Sequence, residues 1–272
     1  MKPNAELTGR VAVVTGAAGG VGFALALQAA DRGMRVALAD KDEYALGAAV
    51  EQVRAKHVDA IAVRADMLDF AAVQKLARRS TAELGPPWLV CNSPGVSIQV
   101  NLWGVINGVQ AFAPDLVKRG GGHVVNVVAA ELFGTRGAPP YVAAAHAIVG
   151  LSEALYRELD LMGSQVGVTL VCPALVNTNI GDTPEYQKGG PSALFDSAVG
   201  TMPPERMAEE IFAAVATRRF RVFPDARELQ EMSGHSWCSA MSYSNARNES
   251  NVPAIAQKPR GTRRAGSANR PC

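Results

Sequence analysis

Cysteine is scarce in this sequence, with only four copies among 272 residues, at positions 91, 172, 238 and 272. No two of them have the Cys-x-x-Cys spacing of zinc-binding or redox motifs. Cys91 and Cys172 lie in apolar runs that predict buried strands, where cysteine packs as a small apolar side chain. The scarcity argues against a disulfide-stabilised extracellular domain, so we expect a cytoplasmic protein.

Long apolar runs are also missing. No window approaches eighteen uninterrupted apolar residues, and the N-terminal segment MKPNAELTGR lacks the apolar core of a signal peptide. Neither secretion nor a membrane span is therefore indicated, and no membrane partner is expected.

A strong excess of charge of one sign is absent as well. The formal net charge is +2, and the last 23 residues alone carry five basic side chains and no acidic one, which leaves about −3 on the remainder. Nucleic-acid binding by the body of the protein is therefore not expected. We expect the basic tail to be solvated; contact with RNA or an acidic membrane surface is the alternative.

What the sequence does contain is an alternation of short β-branched runs with longer helical patterns. The runs VAVVTG, RVALAD, AIAVRAD, WLVCN, HVVNVV and VGVTLVCP predict strands, and helices are predicted over about 22–32, 43–56, 70–84, 102–119 and 140–162. Such alternation is typical of a parallel sheet covered on both faces. We therefore predict a single-domain α/β fold over residues 1–225, a Rossmann-type doubly wound parallel sheet with helices on both faces. Residues 226–272 lack sustained periodicity and are predicted to be irregular or disordered.

A glycine-rich segment, TGAAGGVG, joins the first predicted strand to the first predicted helix. Small residues there let the backbone approach a pyrophosphate, whose negative charge is favoured by the free N–H groups at a helix start. A plain tight turn is the alternative, but the flanking strand and helix favour dinucleotide binding. The candidate cofactor-binding residues in this segment are Thr15, Gly16, Gly20, Val21 and Gly22.

Two aspartates follow the next predicted strands. Asp40 ends RVALAD, where a carboxylate can accept both hydroxyls of the adenosine ribose and repel a 2′-phosphate. Lys41 follows it, but the glycine-rich segment holds no basic side chain, so NAD is predicted in preference to NADP. Asp66 ends the third strand, where it can accept from the adenine amino group or serve as a solvated turn residue.

Together these landmarks resemble the short-chain dehydrogenase/reductase family over about residues 7–225. The segments and residues that carry the resemblance are TGAAGGVG, Asp40, Asp66, CNSPG, VNLWGV, GGHVVNV, Tyr141 and VCPALVNT. The resemblance implies that Asn92 and Gly95 support the strand beside the nicotinamide ribose and that Thr178 meets the nicotinamide carboxamide. It also implies a mobile substrate lid over about 180–202.

The family's reaction is hydride transfer between a nicotinamide and an alcohol or ketone. The resemblance assigns the general acid/base to Tyr141 and a water relay to Asn101. The family also has a lysine four residues after that tyrosine, which lowers its pKa, and a serine that holds the substrate oxygen. This sequence has alanine at both positions, Ala145 and Ala129.

The connection to the predicted fourth helix is a further departure. Only five residues, VSIQV, join Gly95 to Asn101, where the family has a considerably longer segment. That segment normally lines the active-site cleft and contributes to the helix pair through which family members dimerise. We therefore expect a homo-oligomer that is weakened by the shortened helix, and an asparagine in the first helical turn.

The sequence thus favours a protein that binds NAD(H) and whose alcohol/ketone chemistry is lost or very weak. Rescue of the missing lysine is not expected from His146, which lies about 100° further round the helix, or from Arg136, which nothing in the sequence holds over the site. One alternative is a functional reductase of altered mechanism that acts on an activated carbonyl. Another is a non-catalytic binding or regulatory subunit.

Overall fold

The computed structural model describes residues 6–94, 99–128, 139–173, 176 and 202–222. All of them belong to the first of two units, Met1–Gly234, whereas the second unit, His235–Cys272, lies outside the described residues. The predicted tail and the predicted lid, except for Met202 at its end, also fall outside the described residues.

Seven strands form one parallel sheet. In chain order they are β1 (Val11–Thr15), β2 (Arg35–Asp40), β3 (Ala60–Arg64), β4 (Pro87–Asn92), β5 (Gly122–Val127), β6 (Val166–Val171) and β7 (Arg221–Val222). Their order across the sheet is β3-β2-β1-β4-β5-β6-β7, and every neighbouring pair is parallel. The direction of winding reverses between β1 and β4, which confirms the predicted Rossmann-type doubly wound sheet.

Helices cover both faces of the sheet. They are α1 (Gly20–Asp31), α2 (Glu43–Arg54), α3 (Phe70–Leu84), a π-helical turn (Val100–Gly104) that leads into α4 (Val105–Lys118), α5 (Pro139–Leu161) and α6 (Pro204–Thr217). Helices α1, α2 and α6 pack on one face, and α3, α4 and α5 pack on the other. None of the helices in the described part of the chain combines the length and the apolar character needed to cross a membrane.

Strand β1 shows why the strand sequences are almost continuously apolar. All five of its residues are buried. Val11 and Val13 join the core on the α3–α5 face, whereas Ala12 and Val14 join the core on the α1–α2–α6 face. Because successive side chains point to opposite faces and both faces are covered, neither set of positions is left for polar residues.

The helix starts differ in a way that affects the site. The side chains of Asp42 and Asp69 cap α2 and α3, accepting from the backbone N–H groups of Ala45 at 3.0 Å and Ala71 at 2.9 Å. Helix α1 begins after Gly19, without a side-chain cap and without an acidic residue in its first turn. The first N–H groups of a helix have no partner within the helix, so those of α1 are available to an anion.

Candidate cofactor and active site

The predicted site residues lie along one edge of the sheet. Thr15, Asp40 and Asn92 are the last residues of β1, β2 and β4, and Asp66 follows β3 by two residues. In a parallel sheet the carboxyl ends of the strands share one edge, so these residues lie along the edge that contains the crevice between β1 and β4. Ligands of doubly wound sheets bind at this point of reversed winding.

Two glycines bring the loop after β1 close to its neighbours. Gly16 has a φ of +63°, and a Cβ there would lie 2.1 Å from the backbone oxygen of Ser93. A Cβ on Gly22 would lie 2.1 Å from the oxygen of Gly16. No other residue type fits at either position without backbone movement. The loop is therefore pressed between the end of β4 and the start of α1, with the N–H groups of Gly20 and Val21 in the uncapped first turn.

Asp40 is held by the backbone on both sides of its carboxylate. One oxygen accepts from the N–H of Ala18 at 3.1 Å, and the other accepts from the N–H of Asp42 at 3.1 Å. A carboxylate has about four lone-pair sites, so each oxygen keeps capacity for one more donor. The half-buried carboxylate thus has a fixed orientation beside the glycine-rich loop and fits a ribose diol.

Asp66 is exposed and forms part of a turn. Its side-chain oxygen accepts from the N–H of Leu68 at 2.9 Å, and its backbone oxygen accepts from the N–H of Asp69 at 3.0 Å. This arrangement matches the turn residue that the sequence allowed. The remaining carboxylate oxygen keeps the capacity to accept from an amino group.

Thr15 links β1 to the end of β4. Its hydroxyl donates to the backbone oxygen of Cys91 at 3.4 Å and accepts from the N–H of Ser93 at 3.2 Å. Both bonds are buried. Thr15 therefore holds the two strands together beneath the point where the winding reverses.

Asn101 is a buried polar residue of the candidate site. It lies in the π-helical turn, is 1% exposed, and neither its Nδ2 nor its Oδ1 has a partner among the described residues. A buried amide without partners is costly, so a polar ligand atom or a water is expected to pair with it. π-Helical turns of this kind are frequent at functional sites.

Helix α5 carries the position where the family has its lysine. Tyr141 lies in the first turn of α5, and Ala145 lies one turn later with none of its surface exposed. The helix packs against the π-helical turn that holds Asn101. Of the other predicted residues, Gly95, Ala129 and Thr178 lie outside the described residues. The described part of the chain holds no group of three or more His, Cys, Asp or Glu side chains arranged for a metal ion.

Residues 10–188 match the model of the short chain dehydrogenase family. The chain belongs to the short-chain dehydrogenase family. It is similar to a 1-deoxy-11-beta-hydroxypentalenate dehydrogenase of Streptomyces avermitilis, which is 33% identical over 235 residues that cover 79% of this chain and 84% of the relative.

Two solved structures of family members show the same fold. A short-chain dehydrogenase/reductase from Burkholderia phymatum in complex with NAD has a TM-score of 0.76 at 29% identity, covering 92% of this chain and 99% of that one. A short-chain dehydrogenase from Sphingobium yanoikuyae in complex with NADPH has a TM-score of 0.70 at 21% identity, covering 93% of this chain and 100% of that one. The structural relatives of this chain thus include one complex with NAD and one complex with NADPH.

Sequence reasoning named Asn92 but did not single out Asn126 and Ser152, the polar residues that lie beneath the site with it. Asn92 Nδ2 donates to Asn126 Oδ1 at 2.9 Å, and Asn126 Nδ2 donates to Ser152 Oγ at 2.9 Å. A Cβ on Gly108 would lie 2.1 Å from Asn92 Oδ1, so α4 also packs closely here. The available signal was Asn126, a polar residue flanked on both sides by valines in the run HVVNVV.

Proposed function

We propose that this short-chain dehydrogenase homologue binds NAD(H) and that the family's alcohol/ketone oxidoreduction is lost or very weak. The observation that carries the proposal is the buried alanine at position 145, on the helix of Tyr141 and one turn after it. Residues four apart share one helix face, so this is where a cation would act on the phenol. An alanine supplies no charge there.

The two alanines are expected to cost alcohol oxidation several kcal/mol of transition-state stabilisation. An unassisted tyrosine has a pKa near 10, so only about one molecule in a thousand carries a phenolate at pH 7, a handicap of roughly 4 kcal/mol. Ala129 in place of the serine removes a donor to the reacting oxygen, which typically costs about 2.7 to 4 kcal/mol more. Even with partial overlap of these effects, alcohol oxidation at neutral pH becomes inefficient.

The residues at the crevice fit the dinucleotide. The cradle of Gly16 and Gly22 and the uncapped start of α1 suit a pyrophosphate, and the oriented carboxylate of Asp40 suits the adenosine ribose. When bound, the nicotinamide supplies or accepts a hydride. Asp66 and Thr178 complete the proposed set of contacts, and Asn92 and Gly95 are proposed to support the strand beside the nicotinamide ribose.

The unmodified chain is expected to bind NADH saturably and to turn over nothing at a measurable rate. Binding rests on the intact cradle, and the lack of turnover rests on the missing cation. Titration of NADH fluorescence measures the first, and NADH formation or consumption with a panel of secondary alcohols and ketones measures the second. Rapid NAD-linked alcohol oxidation would contradict the proposed loss of activity, whereas absence of NADH binding would contradict the proposed site.

We also propose NAD as the preferred dinucleotide, and Asp40→Asn tests this. The substitution is expected to weaken NADH binding about tenfold and to strengthen NADPH binding, because hydrogen bonds to a charged group contribute about 1.5 to 3 kcal/mol and the 2′-phosphate is no longer repelled. The ratio of the two dissociation constants, measured by fluorescence titration, is the quantity to compare.

Asp42→Asn is the matched control for that experiment. It removes one negative charge two residues away, and asparagine caps a helix as well as aspartate does, so α2 keeps its start. The ratio of NADH to NADPH affinity should stay within about twofold of the parent value, as expected for a screened surface charge. Equal shifts in the two variants would mean that Asp40 does not contact the ribose.

A second candidate function is a reductase of altered mechanism, favoured by the buried amide of Asn101, which has no hydrogen-bond partner among the described residues. A neutral phenol can still donate a proton to a developing alkoxide, and an amide N–H can hold a carbonyl oxygen. NADH consumption with activated ketones or quinones that disappears in Asn101→Leu would support this function. Inertness against the whole panel would dismiss it.

We propose a weakly associating homo-oligomer in the cytoplasm. Trp103, on the π-helical turn that leads into α4, is 55% exposed and supports association through this region. Sedimentation over a range of concentrations measures the association.

The two described cysteines fit the proposed cytoplasmic location. Cys91 and Cys172 are free and buried, and burial raises the pKa of each thiol to about 12, which keeps them unreactive.

A further inference from the structure

Three buried polar side chains connect α5 to the sheet below the proposed site. Ser152 lies on α5, Asn126 on β5 and Asn92 at the end of β4, and none of them is more than 1% exposed. The hydrogen bonds between them, Asn92 to Asn126 and Asn126 to Ser152, are both 2.9 Å long. Asn92 and Asn126 also lie side by side in the register of β4 and β5.

Ser152 anchors the face of α5 on which the chemistry of the family depends. It follows Ala145 by seven residues and Tyr141 by eleven. At about 100° per residue, both intervals return to within about 20° of the same direction. The bond to Asn126 therefore fixes the rotation of the face that carries positions 141 and 145.

Glu153, next to Ser152 on α5, pairs with Arg221 of β7 and also restrains the helix, from a direction about 100° away. The buried apolar contacts of α5 add little to the control of its rotation. The buried residues in the same part of the helix are small or aliphatic: Ala144, Ala145, Ile148 and Val149. Apolar contacts are non-directional, whereas a hydrogen bond weakens steeply when its angle changes. A small rotation of α5 would leave Nδ2 of Asn126 buried without its acceptor, which opposes the rotation.

Asn92, the member of this hydrogen-bonded group farthest from α5, lies next to the residue that contacts the glycine-rich loop. Asn92 precedes Ser93, whose N–H bonds to Thr15 and whose oxygen presses against Gly16. If Asp40 holds the adenosine ribose over β2, the other half of a dinucleotide that crosses the crevice lies over β4 and β5. The hydrogen-bonded residues thus lie beneath the nicotinamide half.

We propose that Ser152, Asn126 and Asn92 form a positioning network that sets the rotation of α5 against the nicotinamide side of the crevice. The network rests on the proposed dinucleotide binding for its function. Its three members are positioning residues, since they act through the backbone of α5 and the end of β4.

Ser152→Ala tests the network, with Ser80→Ala as the matched control. Ser80 is equally buried, but its hydroxyl donates to Ala77 O within its own helix. Hydrogen exchange in the ligand-free chain is expected to quicken at least about fivefold over residues 142–150 in Ser152→Ala and to stay unchanged there in Ser80→Ala.

Ligand affinity gives a second measurement that a purely structural role would not move. The dissociation constant for NADH is expected to rise about fivefold in Ser152→Ala, while that for ADP-ribose, which lacks the nicotinamide, stays within about twofold. Ser80→Ala should change neither constant. If Ser152→Ala does not fold, Ser152→Cys places a weaker acceptor in nearly the same space and should give smaller shifts in the same direction.

The outcomes separate this proposal from the proposed function. Unchanged exchange in α5, or a uniform rise across all helices, overturns the network whether or not the chain binds NADH. Equal weakening of NADH and ADP-ribose also overturns it, because the effect would then not be confined to the nicotinamide side. Failure of the parent chain to bind either nucleotide overturns the proposed function, and the exchange measurement still decides the rotation of α5.

Discussion

Ala145→Lys combined with Ala129→Ser is expected to raise NAD-linked alcohol oxidation at least about a hundredfold over the parent chain. The lysine places a cation one turn from Tyr141 and lowers the pKa of the phenol, because a nearby positive charge favours the phenolate. The serine supplies a donor to the substrate oxygen. The effects of residues that act as a unit do not add in free energy. The gain in rate should therefore fall short of the roughly million-fold product of the two separate effects. Initial rates of NADH formation with secondary alcohols measure it.

Burial of position 145 makes the control essential. Ala145 has no exposed surface, so a long side chain must displace its neighbours. Ala145→Met with Ala129→Ser introduces a side chain of similar length without the charge, and it should fold but remain inactive. Activity in the methionine variant would contradict the argument from charge.

Two further results bear on the same variant. Adding Tyr141→Phe to the lysine and serine variant should abolish the gained activity, because the phenol is the proposed acid/base. A lysine variant that binds NADH but gains nothing would show that the missing cation is not the main defect. The shortened connection over 96–100 would then be the more important departure from the family.

The strands and most helices could be predicted because local pattern and global fold agree. The predicted helix over 70–84 is α3, and the strand RVALAD is β2. Helix α1 starts two residues earlier than predicted, at Gly20, and no side-chain cap marks its start. The glycine-rich motif gave no side-chain signal for that boundary.

Helix α6 and strand β7, the last two elements of the described residues, were not predicted from the sequence. Helix α6 has a signal that was available: Pro204 at its start and buried residues Met207, Ile211 and Val215 at helical spacing. Strand β7 is only two residues long, so it has no periodicity to read. Its place is fixed by pairing with β6, which a single sequence does not show.

Side-chain partners over long separations were beyond sequence reasoning. Asn92 and Asn126 are 34 residues apart and Asn126 and Ser152 are 26 apart, and each pair meets only because the sheet and α5 are assembled. The sequence named Asn101 from the resemblance alone. That its amide is buried in a π-helical turn, without a partner in the described part of the chain, is a property of the packing.

Gly22→Ala is expected to weaken NADH binding at least about tenfold and to lower the free energy of unfolding by about 1 to 3 kcal/mol. The added Cβ would lie 2.1 Å from the oxygen and 2.7 Å from the carbonyl carbon of Gly16, and both atoms are backbone. Relief requires α1 to move away from the loop, which displaces the N–H groups proposed to hold the pyrophosphate. NADH titration and urea unfolding measure the two effects.

Gly47→Ala separates this effect from the general cost of replacing a helical glycine. A Cβ on Gly47 in α2 meets nothing within 4 Å, so the variant should keep its NADH affinity and gain up to about 1 kcal/mol of stability from the better helix former. If Gly22→Ala loses stability but keeps NADH affinity, then the cofactor does not depend on the approach of α1 to the loop. Binding at the crevice between β1 and β4 requires both losses to occur together, because one contact between Gly22 and Gly16 joins the packing of α1 to the shape of the anion site.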